Sequence, residues 1–346
     1  MEWLYLYMPI SGVDIFWPGL VILGLGVGIL GGFYGMGGAW MITPGLNILG
    51  FPMAFAIGTD IAHIAGKSIV STMRHARFGN VDYPLGIAMI VGTVLGFESG
   101  AQLVMLFERI GKVDLYVRII YLFVLAFIAW TVYLDVKKLK RKKMMKGEVS
   151  KLEAGVDWYK TLHKIKIPPI FHFKQAQIRV SFWLPVMVGY ATGLLAGVLG
   201  IGGGLIRMPA LIYLVGCPTH VAVGTDLFEV MISGLYGTFT YTWKGRTELI
   251  GVIVMLAGAA IGAQFGAVAT KYFKGMAIRV LFACAVFIAF LSIVQKLIAR
   301  LYDIVWLDHA STVTILGGVF VIMCIIVYKA IAGMRAEVKA KKQAQT

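Results

Sequence analysis

The sequence predicts an all-α polytopic membrane protein built from two homologous repeats, and three observations lead to this prediction. The chain has 346 residues, of which 59% are hydrophobic and only 14% are charged. Soluble domains carry about 25% charged residues, so this composition is typical of a protein that lies in lipid. The mean hydropathy of +0.82 agrees with that interpretation. The other two observations are a series of long apolar segments and a glycine-rich pattern that occurs twice.

Nine apolar segments are long enough to cross the roughly 30 Å hydrocarbon layer of a membrane as helices. Two shorter segments, 39–50 and 204–216, directly follow glycine clusters. A helix of about 12 residues covers only about 18 Å, so we expect these two segments to be half-helices. The nine predicted spanning helices are 17–34, 55–73, 84–107, 115–135, 180–199, 221–242, 249–270, 277–297 and 311–328.

The glycine-rich pattern occurs once in each half of the chain. In the first half a glycine cluster precedes Pro44 and the tripeptide Gly58-Thr59-Asp60, and in the second half a cluster precedes Pro209 and Gly224-Thr225-Asp226. Equivalent residues are 165 positions apart up to the prolines and 166 apart afterwards. Duplicated, glycine-broken apolar segments are typical of transporters that bind substrate between two repeats. We expect the two repeats to have inverted topology.

Charge divides the chain further. Residues 137–179 contain thirteen Lys or Arg and three acidic residues, a net charge of 13 − 3 = +10, and the tail after residue 328 is also basic. Basic clusters beside apolar spans are typical of cytoplasmic loops, so we expect contact with the lipid bilayer and no nucleic-acid partner. The predicted parts are a first membrane repeat at 1–136, a basic cytoplasmic connector at 137–179, a second membrane repeat at 180–300, and an extra C-terminal helix with a basic tail at 301–346.

The glycine clusters are candidates for a binding site. Non-helical backbone within a membrane is tolerated only when it is buried in protein or lines a cavity. Each cluster opens a half-helix, whose free N–H groups suit an anion. The alternative is that glycines only permit close helix packing, which we expect for Gly92, Gly96 and Gly100 and for their equivalents Gly258, Gly262 and Gly266. The candidate binding glycines are Gly35, Gly37, Gly38, Gly200, Gly202, Gly203 and Gly204.

Ionisable side chains within the apolar segments are the second group of candidates, because charges at this depth are costly and usually mark a substrate or proton route. A buried Lys or Arg could neutralise a substrate anion, and a carboxylate or imidazole could carry a coupling proton. The alternative is internal neutralisation, Asp60 by Lys67 and Arg207 by Asp226 or Glu229. Threonine hydroxyls could bind an oxyanion or their own helix backbone. These candidates are Thr59, Asp60, His63, Lys67, Arg207, Thr225, Asp226 and Glu229.

Enzymatic function is not expected. The chain has no HExxH motif, no GxSxG motif and no paired cysteines with metal-ligand spacing. The sequence from Gly26 to Gly31 fits G-x-G-x-x-G, but it lies inside an apolar helix rather than after a strand, so it does not indicate a nucleotide site. We therefore predict no catalytic residues, no cofactor and no metal.

Both halves resemble the TauE/SafE sulfite exporter family of bacterial permeases. The resemblance rests on the duplicated glycine cluster with its following proline, the A-x-G-T sequence, the loops Gly79-Asn-Val-Asp82 and Gly245-Arg-Thr-Glu248, and the glycine-spaced helix after each loop. It implies a carrier in the bacterial cytoplasmic membrane that moves sulfite or another small sulfur-containing or organic anion, such as a sulfonate, outward. Asp60 and Asp226 depart from the small polar residues expected there, which favours coupling to a proton or another cation, or a substrate other than sulfite.

The sequence thus predicts a secondary transporter of a small anionic substrate, in which the anion lies between the two glycine clusters. Two alternatives stay open at this point: an anion channel of the same fold, and a membrane scaffold or sensor that does not transport. The sequence also leaves a homo-oligomer open.

Overall fold

The structure is a computed structural model that describes residues 4–34, 42–43, 45–46, 49–111, 113–145, 162, 167–199 and 204–343. These residues form ten helices and two short β-hairpins, and they confirm the predicted helical membrane architecture. The hairpins were not predicted.

The first half begins with a hairpin that leads directly into the first helix. Residues 42–43 and 45–46, within the first predicted half-helix, are helical. The hairpin consists of β1 (Tyr5–Met8) and β2 (Val13–Phe16), and the helices are α1 (Trp17–Tyr34), α2 (Met53–Arg77), α3 (Tyr83–Arg109) and α4 (Val113–Met145).

The second half repeats this order and adds one helix. Its half-helix continues as a π-helical turn and ends at Gly216, whose φ of 85° stops the helix in a left-handed conformation. The elements are β3 (Ile170–Phe173), β4 (Ile178–Ser181), α5 (Trp183–Leu199), α6 (Gly204–Ala210), α7 (Thr219–Trp243), α8 (Leu249–Ala269), α9 (Gly275–Leu301) and α10 (Val305–Gln343).

Five of the described helices are long and apolar enough to cross a membrane, namely α1, α3, α8, α9 and α10. Helices α2 and α7 have 25 residues each, but ionisable side chains lower their hydropathy. Most of those side chains are buried, namely Asp60, His63, Lys67, His75, Asp226 and Glu229. Helix α4 continues ten residues past its predicted end at 135, into the basic sequence. The four predicted parts of the chain stay a prediction.

The hairpins extend the duplication to the start of the described chain. Strand β1 lies 165 residues before β3, and β2 lies 165 residues before β4. Two equivalent positions are buried in both hairpins, Met8 with Phe173 and Ile15 with Val180. The predicted helix 180–199 starts at Trp183 because Ile178–Ser181 pairs as a strand.

The first helix of each repeat packs against a helix of the other repeat. Helix α1 packs along α8, and its equivalent α5 packs along α3. Glycines make both contacts close: a Cβ on Gly92, Gly96 or Gly100 would overlap backbone carbonyl groups of α5, and a Cβ on Gly258, Gly262 or Gly266 would overlap those of α1. This confirms that these six glycines serve helix packing.

The equivalent helices α2 and α7 run antiparallel at the centre of the molecule. Gly58, near the start of α2, approaches the carbonyl of Arg246 just after the end of α7. Gly224, near the start of α7, approaches the carbonyl of Asn80 just after the end of α2. Between these ends the helices meet where Gly234 packs on Ala65. Each repeat therefore contributes one helix to this pair, and the start of each helix lies beside the end of the other.

Candidate functional site

The ionisable residues predicted from the sequence form two buried clusters, one on each central helix. The first-repeat cluster is Asp60, His63 and Lys67 on α2, and the second-repeat cluster is Arg207 on α6 with Asp226 and Glu229 on α7. All six side chains are at most 1% exposed. Because isolated charges at such depth are costly, the partners of each charge decide what each cluster can do.

The second-repeat cluster is an internal ion-pair network. The half-helix α6 directs Arg207 at α7, where Nη1 donates to Oδ1 of Asp226 at 3.2 Å and also pairs with Oε2 of Glu229. Nε of Arg207 donates to Oγ1 of Thr192 at 3.2 Å, and Oγ of Ser233 donates to Glu229 at 3.3 Å. One cation faces two carboxylates here. The alternative in which Arg207 is neutralised within the protein is therefore the arrangement found here, and its substrate role stays a prediction.

The first-repeat cluster has few partners. Oδ2 of Asp60 accepts hydrogen bonds from the N–H of Thr43 at 3.1 Å and from its hydroxyl at 2.7 Å. Within the described part of the chain, Nζ of Lys67, both ring nitrogens of His63 and Oδ1 of Asp60 have no hydrogen-bond partner. Asp60 and Lys67 attract each other along α2, in line with the alternative of internal neutralisation, but no hydrogen bond joins them among the described residues.

The cation has changed position between the two repeats. Arg207 corresponds to Ile42, so the first half-helix carries no cation there. Conversely, Lys67 corresponds to Ser233, which binds Glu229. The carboxylates Asp60 and Asp226 are equivalent, but the first is held by a hydroxyl and an N–H and the second by a guanidinium.

The threonines beside these carboxylates contact the opposite repeat. Oγ1 of Thr59 accepts a hydrogen bond from the backbone N–H of Glu248 at 3.0 Å, and Oγ1 of Thr225 accepts one from the N–H of Asp82, also at 3.0 Å. Each hydroxyl thus has a structural role between the repeats, and its expected substrate role stays a prediction. Gly58 and Gly224, one residue earlier, provide the space that the loops need.

The acids of these loops complete two equivalent contacts, which we call the clasps. Oδ2 of Asp82 accepts the N–H groups of Gln175 and Ala176, in the turn between β3 and β4, both at 3.0 Å. Oε2 of Glu248 accepts those of Ile10 and Ser11, in the turn between β1 and β2, at 2.8 and 3.0 Å. Each acid thus holds the hairpin of the other repeat. The duplicated loop sequence pointed to these acids, but it did not reveal their partners.

The predicted site residues lie at different levels along the helix pair. Asp60 precedes the Ala65–Gly234 contact by five residues and Asp226 precedes it by eight, from opposite directions. At 1.5 Å per residue they are separated by about 20 Å along the helices. The structure therefore divides the predicted single site into two clusters. Gly204 opens α6 as expected. The glycines Gly35, Gly37, Gly38, Gly200, Gly202 and Gly203 lie outside the described residues, so their meeting stays a prediction.

Two apolar cavities lie beside the half-helices rather than at the clusters. One, of about 440 Å³, is lined by α5 and α6 residues such as Met187 and Ile206. Its equivalent, of about 420 Å³, lies between α1 and α10 and is lined by residues such as Ile22 and Phe320. Neither is lined by a residue of the two clusters. Their apolar walls are typical of surfaces that face lipid chains.

The helical architecture and the buried ionisable residues define a polytopic membrane protein of the transporter class. The chain belongs to the TauE/SafE family: the family described as "Sulfite exporter TauE/SafE" matches residues 20–293. Members of this class are transporters rather than enzymes.

Curated relatives agree with this assignment. The chain is 25% identical over 256 residues to the probable membrane transporter protein YunE of Bacillus subtilis, covering 72% of this chain and 86% of that protein. It is 26% identical over 231 residues to a probable membrane transporter protein of Methanocaldococcus jannaschii, covering 65% and 72%. It is also 21% identical over 255 residues to YjnA of Bacillus subtilis, covering 71% and 90%. No solved structure matches the chain.

Proposed function

We propose that the protein is a secondary transporter that exports a small anion such as sulfite or a sulfonate, and that Lys67 binds this anion. In this proposal the two repeats have inverted topology in a bacterial cytoplasmic membrane. The basic connector and the tail lie on the cytoplasmic side. The antiparallel packing of α2 and α7 supports the inverted arrangement, because equivalent helices of inverted repeats point in opposite directions.

The observation that carries the proposal is the contrast between the two buried cations. Arg207 is neutralised by two carboxylates, whereas Nζ of Lys67 has no hydrogen-bond partner among the described residues. A buried charge without a partner is strongly unfavourable, so such a lysine is expected to bind a counter-ion when the protein works. An oxyanion would supply that charge and would accept the ammonium protons.

The other two members of the first-repeat cluster support proton coupling. Asp60 and His63 share the face of Lys67 at i, i+3 and i+7 spacing. Oδ1 of Asp60 and both nitrogens of His63 lack partners in the described structure, so both side chains can exchange a proton without breaking an existing contact. In the proposed cycle the proton and the anion occupy neighbouring groups on α2.

The test is sulfite efflux from proteoliposomes that contain the purified protein. We expect Lys67→Gln to lower the efflux rate by about tenfold or more, since a tenfold change needs only about 1.4 kcal/mol of lost binding. Lys67→Arg should retain part of the rate because it keeps the charge. The matched control is Lys329→Gln, which removes an exposed lysine of α10. Unchanged efflux for Lys67→Gln would overturn the proposed site.

The same vesicles separate a carrier from a channel. An imposed proton gradient should drive sulfite against its own concentration gradient if the protein couples the two movements. A channel would only dissipate the sulfite gradient, and that result would exclude the coupled mechanism.

A further inference from the structure

A row of buried polar side chains continues from Lys67 toward the end of α2. We call Ser68, Ser71, Thr72 and His75 the α2 polar row. The four side chains are at most 6% exposed. In the described structure none of the three hydroxyls has a hydrogen-bond partner, and neither does Nδ1 of His75. Nε2 of His75 lies 3.1 Å from the carbonyl oxygen of Gly32, near the end of α1.

Hydroxyls without partners are unusual inside a helix. Serine and threonine in a helix usually bond to a carbonyl of the preceding turn. Thr93, Thr192 and Thr238 do so in this structure, at distances of 2.7 to 3.1 Å. The hydroxyls of the α2 polar row do not, so they are available to a molecule that lies beside the helix. Buried polar groups without any partner are unfavourable, and a bound water or ligand removes that cost.

The positions of the row make it continuous. Lys67, Ser71 and His75 follow one another at four-residue spacing, and Ser68 and Thr72 form the adjacent line. From Lys67 to His75 the row extends about 12 Å along the helix. It thus leads from the proposed anion site to the last turn of α2.

The equivalent stretch of α7 has no such row. The residues equivalent to Lys67, Thr72 and His75 are Ser233, Thr238 and Tyr241, and each has a partner. Their hydroxyls donate to Glu229, to the carbonyl of Gly234 and to the carbonyl of Gly197. The residues equivalent to Ser68 and Ser71 are Gly234 and Gly237, which have no side-chain donor.

The charge along α2 indicates the sign of the solute. From Lys67 to the end of α2, the helix contains two further cationic residues, Arg74 and Arg77, and no acidic residue. Oxyanions accept hydrogen bonds from hydroxyl, imidazole and ammonium groups, and a cation would be repelled by this stretch.

We propose that the α2 polar row lines a hydrated path along which an oxyanion moves between Lys67 and the α2–α3 loop. This inference rests on the proposed function, because it identifies the route that serves the Lys67 site. The hydroxyls exchange hydrogen bonds with water when the path is empty of substrate and with the oxyanion oxygens as it passes. The second repeat provides no equivalent route along α7.

Thiol accessibility tests the path directly. Thr72→Cys is nearly isosteric, and its matched control is Thr238→Cys, at the equivalent depth of α7. Both are made with Cys217→Ala, Cys284→Ala and Cys324→Ala, which remove the native thiols. The proteins are placed in lipid nanodiscs, where both membrane faces are open to reagents. They are then treated with an anionic sulfonatoethyl or a cationic trimethylammonioethyl methanethiosulfonate.

We expect the thiol of Thr72→Cys to react at least about tenfold faster with the anionic reagent than that of Thr238→Cys, a difference of about 1.4 kcal/mol. It should also react faster with the anionic than with the cationic reagent, and added methanesulfonate should slow it. Equal rates for the two variants, or a preference for the cationic reagent, would overturn the path. Circular dichroism and size-exclusion elution show whether each variant is folded, and Ser71→Cys replaces Thr72→Cys if that variant is not.

The labelling experiment and the Lys67 transport assay test the path and the Lys67 site separately. Fast, anion-selective labelling together with unchanged efflux in Lys67→Gln would keep the path and reject the Lys67 site. Absence of labelling together with loss of efflux in Lys67→Gln would keep the site and reject the path.

Discussion

The two repeats have the same backbone plan but treat their buried charges differently. In the second repeat the cation lies on the half-helix, where Arg207 binds Asp226 and Glu229. In the first repeat the cation lies on the central helix, where Lys67 has no described partner. The duplication has therefore kept one carboxylate position and changed the position of the positive charge. Both repeats thus hold a half-helix through a carboxylate, Asp60 through Thr43 and Asp226 through Arg207, but only the first repeat leaves its cation without a described hydrogen-bond partner.

Removing the two buried cations, Arg207 and Lys67, should change the free energy of unfolding in different ways, and this difference is the largest effect expected. Arg207→Met leaves two buried carboxylates without their counter-charge, which should cost about 3–5 kcal/mol. Lys67→Met removes a charge that has no hydrogen-bond partner among the described residues, so it should be neutral or stabilising. Equilibrium unfolding in mixed detergent micelles measures both. Equal destabilisation by the two substitutions would contradict the contrast between the repeats.

The clasps are a feature that both repeats share, so their removal should give similar effects. Asp82→Ala and Glu248→Ala each leave two hairpin N–H groups without a charged acceptor, which should cost about 1.5–3 kcal/mol. Because the clasps lie at opposite ends of the α2–α7 pair, the double variant should lose the sum of the two effects. The same unfolding assay measures this, and a double variant no worse than either single one would show that the clasps are coupled.

The threonine contacts should give a smaller and equally symmetric effect. Thr59→Val and Thr225→Val each leave one backbone N–H of a clasp residue without its acceptor, at a cost of about 1–3 kcal/mol. Thr59→Ser and Thr225→Ser are the controls, since they keep the hydroxyl. We expect near-normal sulfite efflux from both valine variants. A loss of efflux without a loss of stability would restore the substrate role predicted for these hydroxyls.

Proton coupling should depend on one carboxylate only, and this prediction concerns rate rather than stability. Asp60→Asn should remove the acceleration of sulfite efflux by an imposed proton gradient, because it deletes the exchangeable carboxyl beside Lys67. Asp226→Asn should keep the acceleration, since Oδ1 of Asp226 is bound by the cation Arg207. Efflux at several gradients gives the comparison, and gradient-independent efflux in Asp226→Asn would assign coupling to the second repeat.

Much of this architecture could be predicted from the sequence because the relevant signals are local and periodic. Apolar length predicted the helices, and four-residue glycine spacing predicted that α3 and α8 pack closely on other helices, although not on which ones. A cation and two acids in successive apolar segments of the second repeat indicated the Arg207 pairs, as the alternative to a substrate role. The hairpins leave no such signal, because strands of four residues carry too few positions to establish a period of two.

The remaining errors come from contacts between distant parts of the chain. Thr59 and Glu248 are 189 residues apart, and no spacing within one repeat predicts that they meet. The same limit explains why one central site was expected. The sequence shows that Asp60 and Asp226 are equivalent, but only the antiparallel packing of α2 and α7 shows that equivalence places them far apart.

The reciprocal clasps have a consequence for biosynthesis. Glu248 accepts the hydrogen bonds of the first hairpin and leaves the ribosome more than 230 residues after Ile10. Until then, the N–H groups of the turn between β1 and β2 have no carboxylate acceptor. Each half of the chain thus provides the carboxylate that binds the hairpin of the other half. A gene divided between codons 145 and 167 should yield an active protein only when both fragments are co-expressed, and neither fragment alone should survive membrane proteolysis.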